Sequence, residues 1–232
     1  MGINPREKLK RLMVRLDRLF PPGVSVVDEL IPVVRGTVWP QEAAHVARAV
    51  KKRRDEFCAG RVLARRALAA SGAHDAPLLV GVDRAPIWPS GFVGSISHTD
   101  TRVVAVAARR DRWAALGVDI EEITRFHSGL EARVLLPDEI AAYLDGLDQG
   151  ARRTTTAALF CAKEAYYKCQ YTLTGLRLTF HDVAVEIGPA EDRSFGWVTA
   201  RRVQDSATAC RGRYAVTADF AAAAFGVAAD AG

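Results

Sequence analysis

The 232-residue sequence holds no uninterrupted apolar run near the roughly 20 residues that a membrane-spanning helix needs, so no membrane partner is expected. Its first twenty residues interleave Arg6, Lys8, Lys10, Arg11, Arg15 and Arg18 with apolar ones. That pattern leaves no signal-peptide core, and a cytoplasmic location is expected. Cysteine is scarce: the four, at 58, 161, 169 and 210, make no C-x-x-C pair, and no histidine stands at metal-ligand spacing. A zinc site is thereby set aside, and reduced, buried thiols are the reading. G-x-S-x-G is absent, and nothing ties an acid to His98, so no hydrolase triad is evident. Aromatics do not interleave with the arginines as a single-strand stacking platform requires, and no helix-turn-helix or RNA-motif signature is present. The formal charge of +5 still points to an anionic partner, without choosing among nucleic acid, nucleotide phosphates and an acidic protein.

What is present is ordinary globular material, 49% apolar and 25% charged, in a chain long enough for one domain or two compact halves. Helical spacing runs over 6–20 and from about 41 to 70, broken near the Lys51–Arg54 cluster; Pro21-Pro22-Gly23 and Ser71-Gly72 stop the two stretches. Strand-like runs at 78–82, 92–97, 103–109 and 113–120 precede helical patterns at about 129–144 and 152–170. Strand-like runs at 176–180, 183–187, 196–203 and 212–220 complete the chain. Helices mixed with runs of consecutive strands predict an α+β fold with largely antiparallel sheets. Phe57-Cys58-Ala59-Gly60-Arg61 is echoed by Phe160-Cys161-Ala162-Lys163-Glu164. If the echo marks a duplication, Arg61 and Glu164 take equivalent places in two similar halves, with a cleft basic on one wall and acidic on the other.

Four constellations carry chemistry. In Leu116-Gly117-Val118-Asp119-Ile120-Glu121, a strand would point Asp119 and Glu121 to one face and Val118 and Ile120 to the core. Paired carboxylates repel unless a cation sits between them, and hard oxygens suit magnesium, although most D-x-E matches are solvated strand ends. In Phe160–Lys168, Glu164 and Lys168 share a helical face. Alone they read as a surface ion pair; with apolar Phe160, Ala162, Ala165 and Tyr166 around them, Glu164 reads as a third carboxylate and Lys163 and Lys168 as phosphate binders. Gly94-Ser95-Ile96-Ser97-His98-Thr99 ends a strand with hydroxyls and an imidazole, either an anion cradle or a self-capping turn. Arg53, Arg54, Arg61, Arg65 and Arg66 form a helical stripe of guanidinium forks suited to phosphate, or a solvated face.

Together, R-R-x-E-F-x-x-G-R, G-S-I-S-H-T, L-G-V-D-I-E and F-C-A-K-E-A-Y-Y-K, in that order between Arg53 and Lys168, resemble the 4'-phosphopantetheinyl transferase superfamily, in its monomeric surfactin- and enterobactin-synthetase-type class. The resemblance implies two similar α/β halves about a pseudo-twofold axis, divided as 1–115 and 116–232, with coenzyme A in the cleft between them. It also implies transfer of the phosphopantetheine arm of coenzyme A, with Mg2+, to a serine of an acidic acyl, peptidyl or aryl carrier protein. Carried over by position, Asp119, Glu121 and Glu164 match magnesium ligands, and Glu164 also the acid that takes the serine proton. Lys168 matches a pyrophosphate-binding lysine, and Lys163 precedes the metal-binding acid as in the family. Ser97 and His98 match residues that hold the 3'-phosphate region, Arg53 and Arg61 arginines around the phosphoadenosine, and Arg84 lies near a phosphate-contacting lysine. Cys161 stands where serine is common. Two other classes share some of these features: another magnesium-dependent phosphotransferase or nuclease, and a non-catalytic nucleotide- or nucleic-acid-binding module.

Overall fold

Arg102–Arg109 reads V-V-A-V-A-A between its terminal arginines, apolar at every position rather than at alternate ones. A strand of that kind must be covered on both faces. The computed structural model, which describes residues 16–81, 83–191 and 194–229, covers it so. Val103, Ala105 and Ala107 pack under a long helix, while Val104, Val106 and Ala108 enter a core shared with a second sheet.

The first sheet is antiparallel, in the order β1 (Ser25–Leu30), β3 (Arg102–Arg109), β2 (Phe92–His98). The second joins β4 (Trp113–Glu122), β8 (Phe220–Ala228), β7 (Asp205–Val216), β6 (Phe195–Arg202) and β5 (Val183–Ala190), also antiparallel. Five α-helices are described: α1 (Pro40–Ala44), α2 (Lys51–Ala70), α3 (Glu131–Val134), α4 (Pro137–Tyr143) and α5 (Gln149–Thr174). Leu116, Val118 and Ile120 of β4 meet Val104 and Val106 of β3 between the sheets, so the layers run helix, sheet, sheet, helix. None of the described helices is long and apolar enough to cross a membrane.

The α+β class and the two halves hold. The order β1-β3-β2 recurs as β4-β8-β7, with a long helix after the first strand of each set. A joint recurs as well. Glu42, fully buried after Pro40, accepts from Trp39 N (2.8 Å) and Leu78 N (2.9 Å) and pairs with Arg65 of α2 (2.5 Å). Glu139, buried after Pro137, accepts from Leu136 N (2.8 Å) and Val185 N (2.7 Å) and pairs with Lys163 of α5 (2.7 Å). In both, one carboxylate caps a short helix, anchors a distant strand-like segment and holds a cation of the long helix.

Helix α5 starts at Asp148, whose carboxylate accepts from Ala151 N (2.8 Å), and stops at Gly175, whose φ of 67 lies in the left-handed region. It presses on β4 because residue 117 is glycine: a Cβ there would lie 1.9 Å from Ala165 O. Several element expectations are corrected. Residues 78–81 are no strand, with only a bridge from Val80 to Pro86, residue 82 lying outside the described residues, and 176–179 is loop leading to a 3-10 turn that starts at Phe180. The 41–70 helix breaks at 45–50, and the 129–144 helix breaks before Pro137, which disfavours helical geometry at Leu136. Of the 6–20 helix, 6–15 lies outside the described residues, and Leu16–Leu19 is a 3-10 turn.

Candidate active site

The sheets meet at β2 and β4, and the site is built on that seam. Ser95 and Ser97 of β2 turn toward β4: Ser95 Oγ accepts from Val118 N (3.1 Å), and Ser97 Oγ donates to Asp119 Oδ1 (2.6 Å). From α5, Lys168 Nζ donates to that same Asp119 Oδ1 (2.7 Å), to Val118 O (3.1 Å) and to Ile96 O (3.5 Å). One ammonium thus ties both sheets to the helix. Burial opposes its charge, but Asp119, the hydrogen bond to it and Glu164 prevail, and its pKa is raised. The i,i+4 pair of Glu164 with Lys168 that spacing allows gives way to the pair with Asp119.

Asp119 is 3% exposed, and its Oδ2 has no hydrogen-bond partner. A buried carboxylate oxygen left so is costly unless something cationic meets it. The thiol of Cys161, close to the carboxylate, donates to Ala221 O (3.3 Å). Burial, then the Asp119 charge, pushes Glu121 up to about 7, against Arg125, which donates to it at 2.7 Å. The same two causes raise Glu164, which is half-buried on α5. The structure therefore brings the three predicted acids around one charge. Among the described residues no three histidine, cysteine, aspartate or glutamate side chains stand close enough together to hold a metal ion. Lys168 pairs with Asp119 and Arg125 with Glu121, so each of these two acids has a cation beside it. The donor set, all hard oxygens around an orphaned Oδ2, fits magnesium.

The basic wall lies in an adjoining cavity of about 470 Å³. Arg61 is buried there over the Phe57 ring (4.4 Å), with its Nε unpartnered. Burial first, then Arg53 and Arg65, holds its pKa down to about 10 despite Glu42. His98 lines the same cavity 3.3 Å from Arg53, and Glu56 flanks both at 3.9 and 3.7 Å. Burial foremost keeps the imidazole below its usual pKa. Arg84 and Ile96 line this cavity and a second of about 660 Å³, which reaches Lys168.

Three expectations are corrected. Lys163 is 1% exposed and pairs with Glu139 while donating to Phe180 O (2.9 Å), so it is a structural cation and not a phosphate ligand. The side chains of Ser97 and His98 do not point the same way, because successive strand residues alternate; Ser97 faces Asp119 and His98 the basic cavity. The arginine stripe is divided too: Arg65 holds Glu42 and Arg66 holds Glu29 (2.8 Å), and of the other three Arg53 and Arg61 line the cavity while Arg54 does not. Glu56 and Gly117 stand inside two of the sequence motifs, but sequence reasoning gave neither a role. The first was legible as an acid three residues after Arg53 on one helix face, the second as the glycine preceding V-D.

Acids stand at one end of a divided cleft, and at the other a buried guanidinium with its Nε unpartnered, a group suited to phosphate. Comparison with known proteins gives the class. Residues 41–108 match the 4'-phosphopantetheinyl transferase N-terminal domain and residues 115–221 the 4'-phosphopantetheinyl transferase superfamily. The chain is 44% identical to the 4'-phosphopantetheinyl transferase Svp of Streptomyces mobaraensis over 66% of its length and 62% of that protein's. It is 39% identical to the 4'-phosphopantetheinyl transferase PptT of Mycobacterium tuberculosis over 69% of each. Against enterobactin synthase component D of Salmonella typhimurium the identity is 33%, over 66% of this chain and 67% of the relative. The chain belongs to the 4'-phosphopantetheinyl transferase superfamily.

Proposed function

We propose that this protein moves the 4'-phosphopantetheine arm of coenzyme A onto a serine hydroxyl of an apo carrier protein and releases 3',5'-ADP. The observation that carries the reading is the orphaned, buried Asp119 Oδ2 between two acids of raised pKa, beside a cavity lined by the unsatisfied Arg61. In the reaction the serine Oγ bonds to the β-phosphorus, the bond from that phosphorus to the bridging oxygen breaks, and the serine proton passes to Glu164. Burial suits Glu164 to this task, because a carboxylate of raised pKa is the better base near neutral pH. Asp119, Glu121 and Glu164 would hold Mg2+, which when bound supplies charge neutralisation at the diphosphate. Lys168 orients Asp119 and lines the cavity for the pyrophosphate. Arg53, Arg61 and His98 would bind the 3'-phosphate region, with Arg84 at the junction of the two cavities.

The halves divide these tasks, 1–115 taking the phosphoadenosine and 116–232 the metal. The acceptor in this reading is an acidic acyl, peptidyl or aryl carrier of siderophore, polyketide or nonribosomal-peptide assembly, met in the cytoplasm by a monomer. The net charge of +5 favours that encounter. The carrier is assigned in this reading to residues 124–136, which follow the D-x-E strand and where Arg125 and Arg133 are exposed. The test is to incubate the protein with coenzyme A, Mg2+ and an apo carrier, then weigh the carrier. A gain of one phosphopantetheine supports the reading and an unchanged mass refutes it. Glu164→Gln should lose at least about a hundredfold in rate while still binding coenzyme A.

A further inference from the structure

Helix α5 does more than present Glu164 and Lys168. Three residues beyond Lys168, Tyr171 Oη donates to Asp83 Oδ2 at 2.7 Å, linking the second half to a loop of the first. Asp83 Oδ1 accepts from Ala85 N (3.0 Å) inside that loop, so one carboxylate fixes the turn internally and holds it from across the cleft. The turn is closed further by Arg84 N to Gly81 O (2.9 Å), Gly81 N to Ala85 O (2.8 Å) and the Val80 to Pro86 bridge. Residue 81 must be small, since a Cβ there would lie 2.8 Å from Asp83 Oδ1. Within this turn Arg84 has φ 72, a backbone region that a side-chain-bearing residue keeps when its surroundings hold it there. Arg84 lines both cavities, whereas Asp83 and Tyr171 line the one beside Lys168. The Tyr167 ring, 5.7 Å from that of Tyr171, backs the tyrosine. The hydrogen bonds from Tyr171 and from Ala85 N keep the Asp83 carboxyl below its usual range, hence charged and accepting at neutral pH.

We propose that Asp83 and Tyr171 form a latch across the cleft that keeps the Arg84 loop in its coenzyme A-binding place, which makes Tyr171 a positioning residue for coenzyme A affinity. This rests on the coenzyme A reading above. Without the latch the turn keeps its internal bonds but loses its hold on α5, and Arg84 must be ordered by the ligand at a cost in affinity.

The experiment measures coenzyme A binding by titration calorimetry, and steady-state transfer to an apo carrier, for the wild type, Tyr171→Phe, Asp83→Ala, the double variant and Asp83→Asn. Tyr171→Phe, which loses one charged hydrogen bond, should weaken coenzyme A binding about five- to twentyfold, and Asp83→Ala, which also loses the bond from Ala85 N, at least as much. The double variant should bind no more weakly than the poorer single one, and Asp83→Asn, which keeps an acceptor oxygen, should recover most of the loss. The kinetic effect should fall on KM for coenzyme A rather than on kcat or on KM for the carrier. Wild-type affinity in Tyr171→Phe overturns the latch, and so does a double variant whose loss is the product of the single losses. If the wild type itself binds no coenzyme A, the latch and the functional reading fall together. Binding by the wild type with indifferent variants removes the latch alone.

Discussion

Replacing Lys163 by methionine keeps the apolar stem of the side chain and deletes its ammonium. In the folded protein that ammonium is 1% exposed, 2.7 Å from Glu139 and 2.9 Å from Phe180 O. Removing one partner of a buried ion pair costs about 3–5 kcal/mol, because a charge is left behind. Here the remaining carboxylate still accepts from Leu136 N and Val185 N, so the loss belongs at the low end, about 3 kcal/mol. For a chain of this length each kcal/mol moves Tm by about 2–4 °C, giving a fall of about 6–12 °C in a calorimetric melt. Coenzyme A affinity of the folded fraction should stay within about twofold, since the ammonium faces Glu139 and not the cleft. A variant that melts with the wild type but binds coenzyme A tenfold more weakly would restore Lys163 to the phosphate site and refute this assignment.

Arg61→Met should remove a buried, unsatisfied guanidinium, raising the Tm of the ligand-free protein by a few degrees while weakening coenzyme A binding at least about tenfold; a lowered Tm with unchanged binding would contradict both halves of that claim. Gly117→Ala places a Cβ 1.9 Å from Ala165 O and should cost about 1–3 kcal/mol by forcing α5 off β4, read as a lower urea midpoint. The Glu121 carboxyl, raised from 4.5 to about 7, keeps in the metal-free fold a proton that the unfolded chain loses. Its contribution to stability is therefore full below pH 4.5 and disappears as pH rises through 7. Magnesium must displace that proton, so Mg2+ affinity should climb about tenfold per pH unit up to pH 7 and level off above it; calorimetry showing no such slope would exclude Glu121 as a ligand.

The acid positions were legible because strand periodicity is local: two residues apart in V-D-I-E means one face, and β4 obeys it. Helical spacing likewise put Glu164 and Lys168 on one side of α5, but spacing cannot say which partner a lysine takes. Lys168 reached for Asp119, and Lys163 for Glu139, through folding contacts between segments distant in sequence. The strand from 220 to 228 escaped notice because its alanines carry little β-propensity; they are small so that α5 and the shared core can close over them. The duplication was sought in Phe-Cys-Ala, yet its clearer trace is Pro-x-Glu, a pattern whose meaning depends on where the carboxylate's second oxygen goes.

Lys168 donates to a carbonyl of β2 and to a carbonyl of β4. The seam between the sheets and the proposed reactive centre are therefore one place, and any opening of one sheet from the other must first pull this ammonium off two backbones and the aspartate it steadies. A separated N-terminal fragment would retain the cationic wall with nothing for it to serve. In the proposed reaction, opening that seam and releasing Asp119 from its lysine would be one event.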